Sequence, residues 1–244
     1  MRRLDTRGIP LTAWEWLRRL GQVLCDVLYP PLCVGCGQVG SVYCSACRLS
    51  APLVNPPICP LCGRPQSRAT LCTSCASNPL HIDGIRSVAL FEGTVREAIH
   101  RLKYDYVRDL AAPLGEMLSG FWVQASLVGD VIVPVPLHAR RLRERGYNQA
   151  ALLALRLSHA TGIPVDDRAL RRNRYTTSQT GLTAQQRRRN VEAAFSCRDP
   201  GMAGKRVVLI DDVCTTGATL EACSEAMREA QATSVWALTV ARAI

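Results

Sequence analysis

Apolar residues recur every three or four positions from Leu11 to Leu28, at Leu11, Trp14, Leu17, Leu20, Val23, Leu24, Val27 and Leu28. That period gathers them on one face and predicts an amphipathic helix, closed by the prolines that follow Tyr29. Packing against the rest of the chain is the ordinary destination of such a face, although Trp14 and Trp16 among arginines also suit a membrane surface. From Cys33 to Cys75 the period disappears, and Pro and Gly are frequent. It returns beyond Asn78–Gly84. There "IRSVALFEG" predicts a strand and "TVREAIHRLKY" a helix opened by a capping box of Thr94 and Glu97. "VIVPVP" predicts a buried strand, followed by an arginine-rich loop and the helix "NQAALLALRLSHATG". "VVLIDD" and "SVWALTVAR" predict two more buried strands, flanking a helix that starts near Thr216. Continuous apolar strands alternating with helices predict an α/β fold with a parallel sheet covered on both faces. The expected organisation is an N-terminal helix over 1–31, a cysteine-rich module over 32–80 and an α/β domain over 84–244.

The aperiodic stretch carries its own signal. Eight of the chain's 12 cysteines form four Cys-x-x-Cys pairs: Cys33/Cys36, Cys44/Cys47, Cys59/Cys62 and Cys72/Cys75. Each pair can present two thiolates to one tetrahedral Zn²⁺, so the eight supply two structural sites of four cysteines each. Neighbouring pairs could close two consecutive ribbons, or alternate pairs could interleave; consecutive ribbons are the expectation. Closed four-thiolate sites leave no open position for catalysis, so the metal's role there is folding. Thiols kept for metal point to a reducing compartment, and with no signal-like leader and no apolar run of transmembrane length the expected location is cytoplasmic. Gly35-x-Gly37-x-x-Gly40 matches a dinucleotide fingerprint by letter, but it lies between zinc-ligand candidates with no strand before it. No long repeat is apparent beyond the cysteine pairs. Of the remaining cysteines, Cys25, Cys197, Cys214 and Cys223, the expectation for Cys197 and Cys223 is ordinary buried thiols.

The sharpest feature is "VVLIDDVCTTGATL", Val207–Leu220. An apolar run places Asp211 and Asp212 at the carboxyl end of a central strand, the edge where open parallel sheets bind ligands. A small hydroxyl-rich turn with Thr215, Thr216, Gly217, Ala218 and Thr219 then leads into a helix, and its backbone N–H groups and the helix dipole suit an anion. Two carboxylates alone would repel that anion. They make sense as acceptors for the hydroxyls of a cis-diol, so the ligand that joins both demands is a sugar 5-phosphate with free 2- and 3-hydroxyls. A Walker B strand is the rival, but no Walker A loop accompanies it.

Net charge, +10 overall, sharpens the picture because of where it lies. Between Pro134 and Asn190 twelve arginines face three acids (Glu144, Asp166, Asp167), leaving +9 beside the anion turn. Arginine forks suit phosphate oxygens. About half of these arginines are expected on solvated helix faces. A nucleic-acid backbone is the other anionic partner they suit, but only Tyr147 and Tyr175 are nearby for base stacking.

Val207–Leu220 resembles the phosphoribosyl-diphosphate signature of type I phosphoribosyltransferases. With "YPPLCVGCG", "HRLKYDYVRDLA", "PVPLHARRLRERGYNQA" and "TTSQTGLTAQQRRRNVEAAF", the chain from Pro30 onward resembles the ComF family. The resemblance implies a type I phosphoribosyltransferase-like parallel-sheet domain preceded by a small double zinc ribbon. It implies phosphoribosyl diphosphate with Mg²⁺ as ligand, and a link to DNA uptake in which single-stranded DNA or proteins of the uptake machinery are partners. Asp211 and Asp212 would hold the ribose hydroxyls and Thr215–Thr219 the 5-phosphate. Pro136, Leu137, His138, Ala139 and Arg140 would form the diphosphate loop. Thr177–Arg187, with Gln179 and Arg187, would close over the site. Cys214 departs from the small or branched apolar residue of many relatives. Three functions are then in play: a pentosyl-transferring enzyme, a phosphoribosyl-diphosphate-binding accessory protein for DNA uptake, and a zinc-ribbon nucleic-acid binder. Intact Asp211, Asp212 and Gly217 argue against the third. Lys103 and Tyr104 share a resembling motif, but no chemistry assigns them a role.

Overall fold

The computed structural model describes residues 30–125, 127–173 and 194–244. The expected N-terminal helix, the Thr177–Arg187 loop with Gln179 and Arg187, and Cys25 lie outside them. Two short helices, α1 (Ser45–Leu49) and α2 (Thr73–Ser77), belong to the cysteine module. Then follow β1 (Gly84–Leu90), α3 (Gly93–Tyr104), α4 (Ala111–Gln124), β2 (Val131–Pro134), α5 (Ala139–Arg145) and α6 (Gln149–Thr161). The chain continues through β3 (Leu170–Arg172), β4 (Phe195–Cys197), β5 (Arg206–Cys214), α7 (Ala218–Glu229) and β6 (Ser234–Arg242). Four strands form one parallel sheet in the order β1-β6-β5-β2, and β3 and β4 pair antiparallel beside it.

The sheet is covered on both faces, as continuous apolar strands require. Val207 and Leu209 of β5 enter one core with Leu220, Cys223 and Met227 of α7 and Phe195 of β4. Val208 and Ile210 enter the opposite core with Ile99 and Leu102 of α3, Leu114 and Leu118 of α4 and Leu153 of α6. The period-2 alternation of a strand sends successive residues to the two sides.

The module folds as two consecutive ribbons, and the second repeats the first. Leu32 bridges Val39 in one and Ile58 bridges Pro65 in the other. Gly37 N donates to Cys33 O (2.8 Å), and Gly63 N donates to Cys59 O (2.9 Å). The related segments "LCVGCG" and "ICPLCG" are thus one hairpin used twice, a short repeat that the cysteine spacing alone understates. The ribbons also protect the sheet. Val54 N donates to Val88 O (2.9 Å) and Leu90 N to Pro52 O (2.7 Å), so the connecting segment pairs with the outer edge of β1, which would otherwise be open for association. Gly63 is required at this junction: its φ is +72°, and a Cβ there would meet Ile85 O at 2.4 Å.

The structure corrects several local expectations. The arginine-rich loop is the helix α5, capped by His138, whose Nδ1 accepts from Arg140 N (3.2 Å), and ended by left-handed Gly146. The capping box on α3 does not form; Thr94 Oγ1 instead donates to Cys47 O (3.2 Å), while Glu97 pairs with Arg101. α7 starts at Ala218, two residues later than expected. α4 adds a helix whose signal is in the sequence: Leu114, Leu118 and Trp122 recur at i, i+4 and i+8 on its buried face, and Pro113 sits in the first turn, where no intrahelical N–H is needed.

Candidate functional site

Asp211 and Asp212 lie within β5 rather than at its last residue, because Val213 and Cys214 still pair with Ala241 and Arg242 of β6. On the other side β2 ends level with Ile210. Beyond that register β5 has one strand neighbour, and the loop that leaves β2 runs beside it, with Val135 N donating to Ile210 O (2.9 Å). The expected diphosphate loop, Pro136–Arg140, therefore starts next to the aspartates. In it Arg140 Nε donates to Glu144 Oε1 (2.9 Å).

The two carboxylates are adjacent along β5. Asp211 Oδ1 accepts from Asp212 N (2.9 Å), a bond between neighbours that ties the first side chain to the backbone of the second. Burial, followed by the charge of Asp212, raises the Asp211 pKa from its ordinary value to about 8, against the opposing pull of Lys103. Asp212 is 2% exposed, and its Oδ2 faces Lys103 Nζ at 2.8 Å.

Sequence reading left Lys103 without a role, and the fold supplies one. The loop after α3 is fastened to the turn between α5 and α6. Tyr106 Oη donates to Glu144 O (3.1 Å), the Arg108 guanidinium lies 4.6 Å from the Tyr147 ring centroid, and Tyr147 Oη donates to Leu102 O. The segments "HRLKYDYVRDLA" and "RERGYNQA" thus meet in space and aim the end of α3 at β5. No spacing in the sequence could show this, since Lys103 and Asp212 are far apart along the chain.

On the far side of Asp211, Arg172 of β3 packs over the Phe195 ring (5.3 Å to its centroid). Burial and the charge of Arg141 lower the Arg172 pKa, and Cys223 and Asp211 oppose that fall.

After β5 the chain turns through Thr215 and Thr216 into Gly217, whose φ is +84° and whose Cβ, if present, would sit 3.1 Å from Ile85 Cδ1. Gly217 caps α7 without a side-chain hydrogen bond, and Thr216 Oγ1 accepts from Ala218 N (3.4 Å). Replacing Gly217 would thus strain the backbone as well as crowd the turn, so it is a poor probe of ligand contact alone. A groove of about 700 Å³ lies away from these residues, between α1, the Leu53–Ile58 segment and α4.

The thiols gather into two tetrads, Cys33/Cys36/Cys44/Cys47 and Cys59/Cys62/Cys72/Cys75, with the sulfurs of each within 4.8 Å of one another. The donor set fits Zn²⁺, and backbone N–H groups prepare it. Burial alone would raise the Cys33 and Cys59 thiols, but the amides of Cys44, Cys36 and Gly35 in the first tetrad, and of Cys72, Cys62 and Leu61 in the second, bring both down to about 6. Burial and the neighbouring sulfurs push Cys47 up to about 12 and Cys75 higher still. Four crowded thiols cannot all ionise unaided, and a divalent cation supplies the missing charge. The second tetrad also touches the α/β core. Arg242, 1% exposed, donates through Nη1 to Cys62 O and to Cys214 Sγ (3.4 Å). This buried guanidinium, at the end of β6, joins the second tetrad to the residue that precedes the Thr215 turn.

Comparison with known proteins fits this division. A double zinc ribbon domain model matches residues 24–76, and a phosphoribosyl transferase domain model matches residues 142–243. The DNA utilization protein YhgH of Escherichia coli (strain K12) is 33% identical over 223 residues, spanning 88% of this chain and 96% of that protein. Competence protein ComFC of Bacillus subtilis (strain 168) is 33% identical over 210 residues, spanning 82% of this chain and 83% of its own. The chain belongs to the ComF family. Among solved structures, the glutamine phosphoribosylpyrophosphate amidotransferase from B. subtilis is 27% identical with a TM-score of 0.38, covering 54% of this ComF-family chain and 26% of the other. The ComF-family chain has a parallel-sheet phosphoribosyltransferase-like domain with a cysteine-rich double ribbon before it, and none of its described helices is long and apolar enough to cross a membrane.

Proposed function

We propose that this protein binds phosphoribosyl diphosphate with Mg²⁺ at Asp211–Thr219, and that it serves the handling of DNA. Two adjacent carboxylates on β5, shortly before a glycine turn at the start of α7, are the observation that carries the reading. Asp211 and Asp212 accept from the ribose hydroxyls, the Thr215–Thr219 turn takes the 5-phosphate, and Pro136–Arg140, one strand away, takes the diphosphate. Paired carboxylate oxygens also fit Mg²⁺, which when bound would neutralise diphosphate charge. In turnover the C1–O bond to diphosphate breaks, a C1–N bond forms to a nitrogen nucleophile, and that nitrogen loses its proton. The same residues serve binding without turnover. The names of the relatives, DNA utilization protein and competence protein, support the second half of the proposal.

Thermal melts test both halves. With phosphoribosyl diphosphate and Mg²⁺ at a hundred times its dissociation constant, the native state should gain about 2.7 kcal/mol. Loss of the Asp211 proton frees its second oxygen as an acceptor and adds a charge, so affinity should tighten as the pH rises towards about 8. A single-stranded oligonucleotide should also stabilise the protein, with an effect that fades steeply as salt is raised. A melting temperature indifferent to the sugar diphosphate, or affinity that weakens from pH 6 to pH 8, would remove the ribose reading. A salt-independent oligonucleotide response would remove the phosphate-contact one.

A further inference from the structure

Another cluster of metal-ligating side chains lies outside the tetrads and outside the aspartate site. His81 belongs to the segment that joins the second ribbon to β1, while Glu221 and Glu225 are one turn apart on the same face of α7. Ligand atoms of all three lie within 4.8 Å of one another. His81 Nδ1 is 3.0 Å from Glu221 Oε1 and 3.9 Å from Glu225 Oε1. The backbone fixes the approach: His81 N donates to Glu221 Oε1 (2.5 Å) and Ser224 Oγ donates to His81 O (3.5 Å).

Histidine–glutamate ion pairs account for both imidazole contacts but leave one fact unexplained. Glu221 Oε2 is buried with no hydrogen-bond partner among the described residues, an arrangement that costs desolvation unless a cation meets it. One imidazole nitrogen and two carboxylates on a helix turn are a donor set for Zn²⁺ or Mn²⁺, with further positions open to water. The imidazole is largely exposed, so an ion has a route in.

We infer that His81, Glu221 and Glu225 form a third divalent-metal site, which clamps the ribbon-to-core connection onto α7. The clamp acts on the helix whose first residues follow the Thr215 turn, yet it depends on none of the residues assigned to sugar-phosphate binding.

The test is a zinc titration of the full chain with both tetrads already loaded. A third equivalent should bind the parent, and His81→Ala and Glu225→Gln should each lose it while retaining the first two. Asp211→Asn/Asp212→Asn should keep all three, which separates this site from the proposed ribose site. Retention of two equivalents also reports that a variant has folded. Should His81→Ala fold poorly, Glu225→Gln, on the exposed side of the cluster, carries the test alone. Saturation of the parent at two equivalents, or a third equivalent that survives in Glu225→Gln, overturns the inference.

Discussion

Stripping zinc from this protein should unfold both ribbons and destabilise the α/β domain they rest on. The tetrads stand in for a core that the ribbons lack, and structural zinc in small modules contributes about 10–16 kcal/mol of apparent free energy at neutral pH. The damage should spread because the ribbons do two things for the sheet. They pair with the outer edge of β1, and Cys62 O accepts from the buried Arg242. Without the second ribbon that guanidinium is left near Cys214 with its carbonyl partner gone, a loss of about 1.5–3 kcal/mol for a hydrogen bond to a charged group. The two tetrads should therefore differ. Cys59→Ser/Cys62→Ser should lower the melting temperature of the whole chain more than Cys33→Ser/Cys36→Ser, as read by circular dichroism with metal analysis. Equal effects, or a chelated protein that melts like the parent, would contradict this account. Loading should release protons, because Cys47 and Cys75 are held protonated by burial and by their neighbours in the metal-free cluster.

Lys103→Met should be the most damaging single change near the aspartates. It keeps an unbranched apolar stem one atom shorter and removes the ammonium that faces the buried Asp212 carboxylate at 2.8 Å. Removing one partner of such a pair costs about 3–5 kcal/mol. The pH dependence follows from Asp211. Its folded pKa is raised from 3.8 to about 8, so between these values the folded state holds more protons than the unfolded state, and stability falls as the pH rises through that window. Lys103 is the group that opposes this rise most, so without it the fall should be steeper and should extend to higher pH. Denaturant melts of parent and variant from pH 5 to pH 9 measure it. A variant whose deficit shrinks towards pH 9 would show that Lys103 does not serve the carboxylates.

The molecule was legible in its sequence wherever a short local pattern carried the chemistry. Val207–Ile210 announced a buried strand, and the four Cys-x-x-Cys pairs announced two tetrads, because both depend on residues close along the chain. Asn148 and Gly162 likewise mark α6, the first through a side chain that accepts from Ala150 N (3.0 Å), the second at φ +74°. What stayed hidden depends on tertiary approach. Lys103 meets Asp212, Arg242 meets Cys62 and His81 meets Glu221 across separations that no periodicity encodes. Thr94 shows the opposite failure: a local capping motif was present, but Cys47 O and Tyr43 Oη took its hydroxyl, and the tertiary contacts won. α5 hides in the sequence because all but two of its seven residues, Ala139 and Leu142, are charged, leaving no apolar stripe to report a helix.

The central claim is that Asp211 and Asp212 hold the ribose of a phosphorylated sugar. Titration calorimetry of phosphoribosyl diphosphate with Mg²⁺ into parent and Asp211→Asn/Asp212→Asn protein addresses it directly. At pH 9, above the raised Asp211 pKa of about 8, the substitution keeps shape and removes both charges while each amide can still accept a hydrogen bond, so the fold should persist, checked by retained zinc and an intact melting transition. Measurable binding to the parent is expected, with a loss of about thirtyfold or more in the variant, since going from a charged to a neutral acceptor costs about 1–1.5 kcal/mol per bond. A folded variant that binds the sugar diphosphate as tightly as the parent would contradict it.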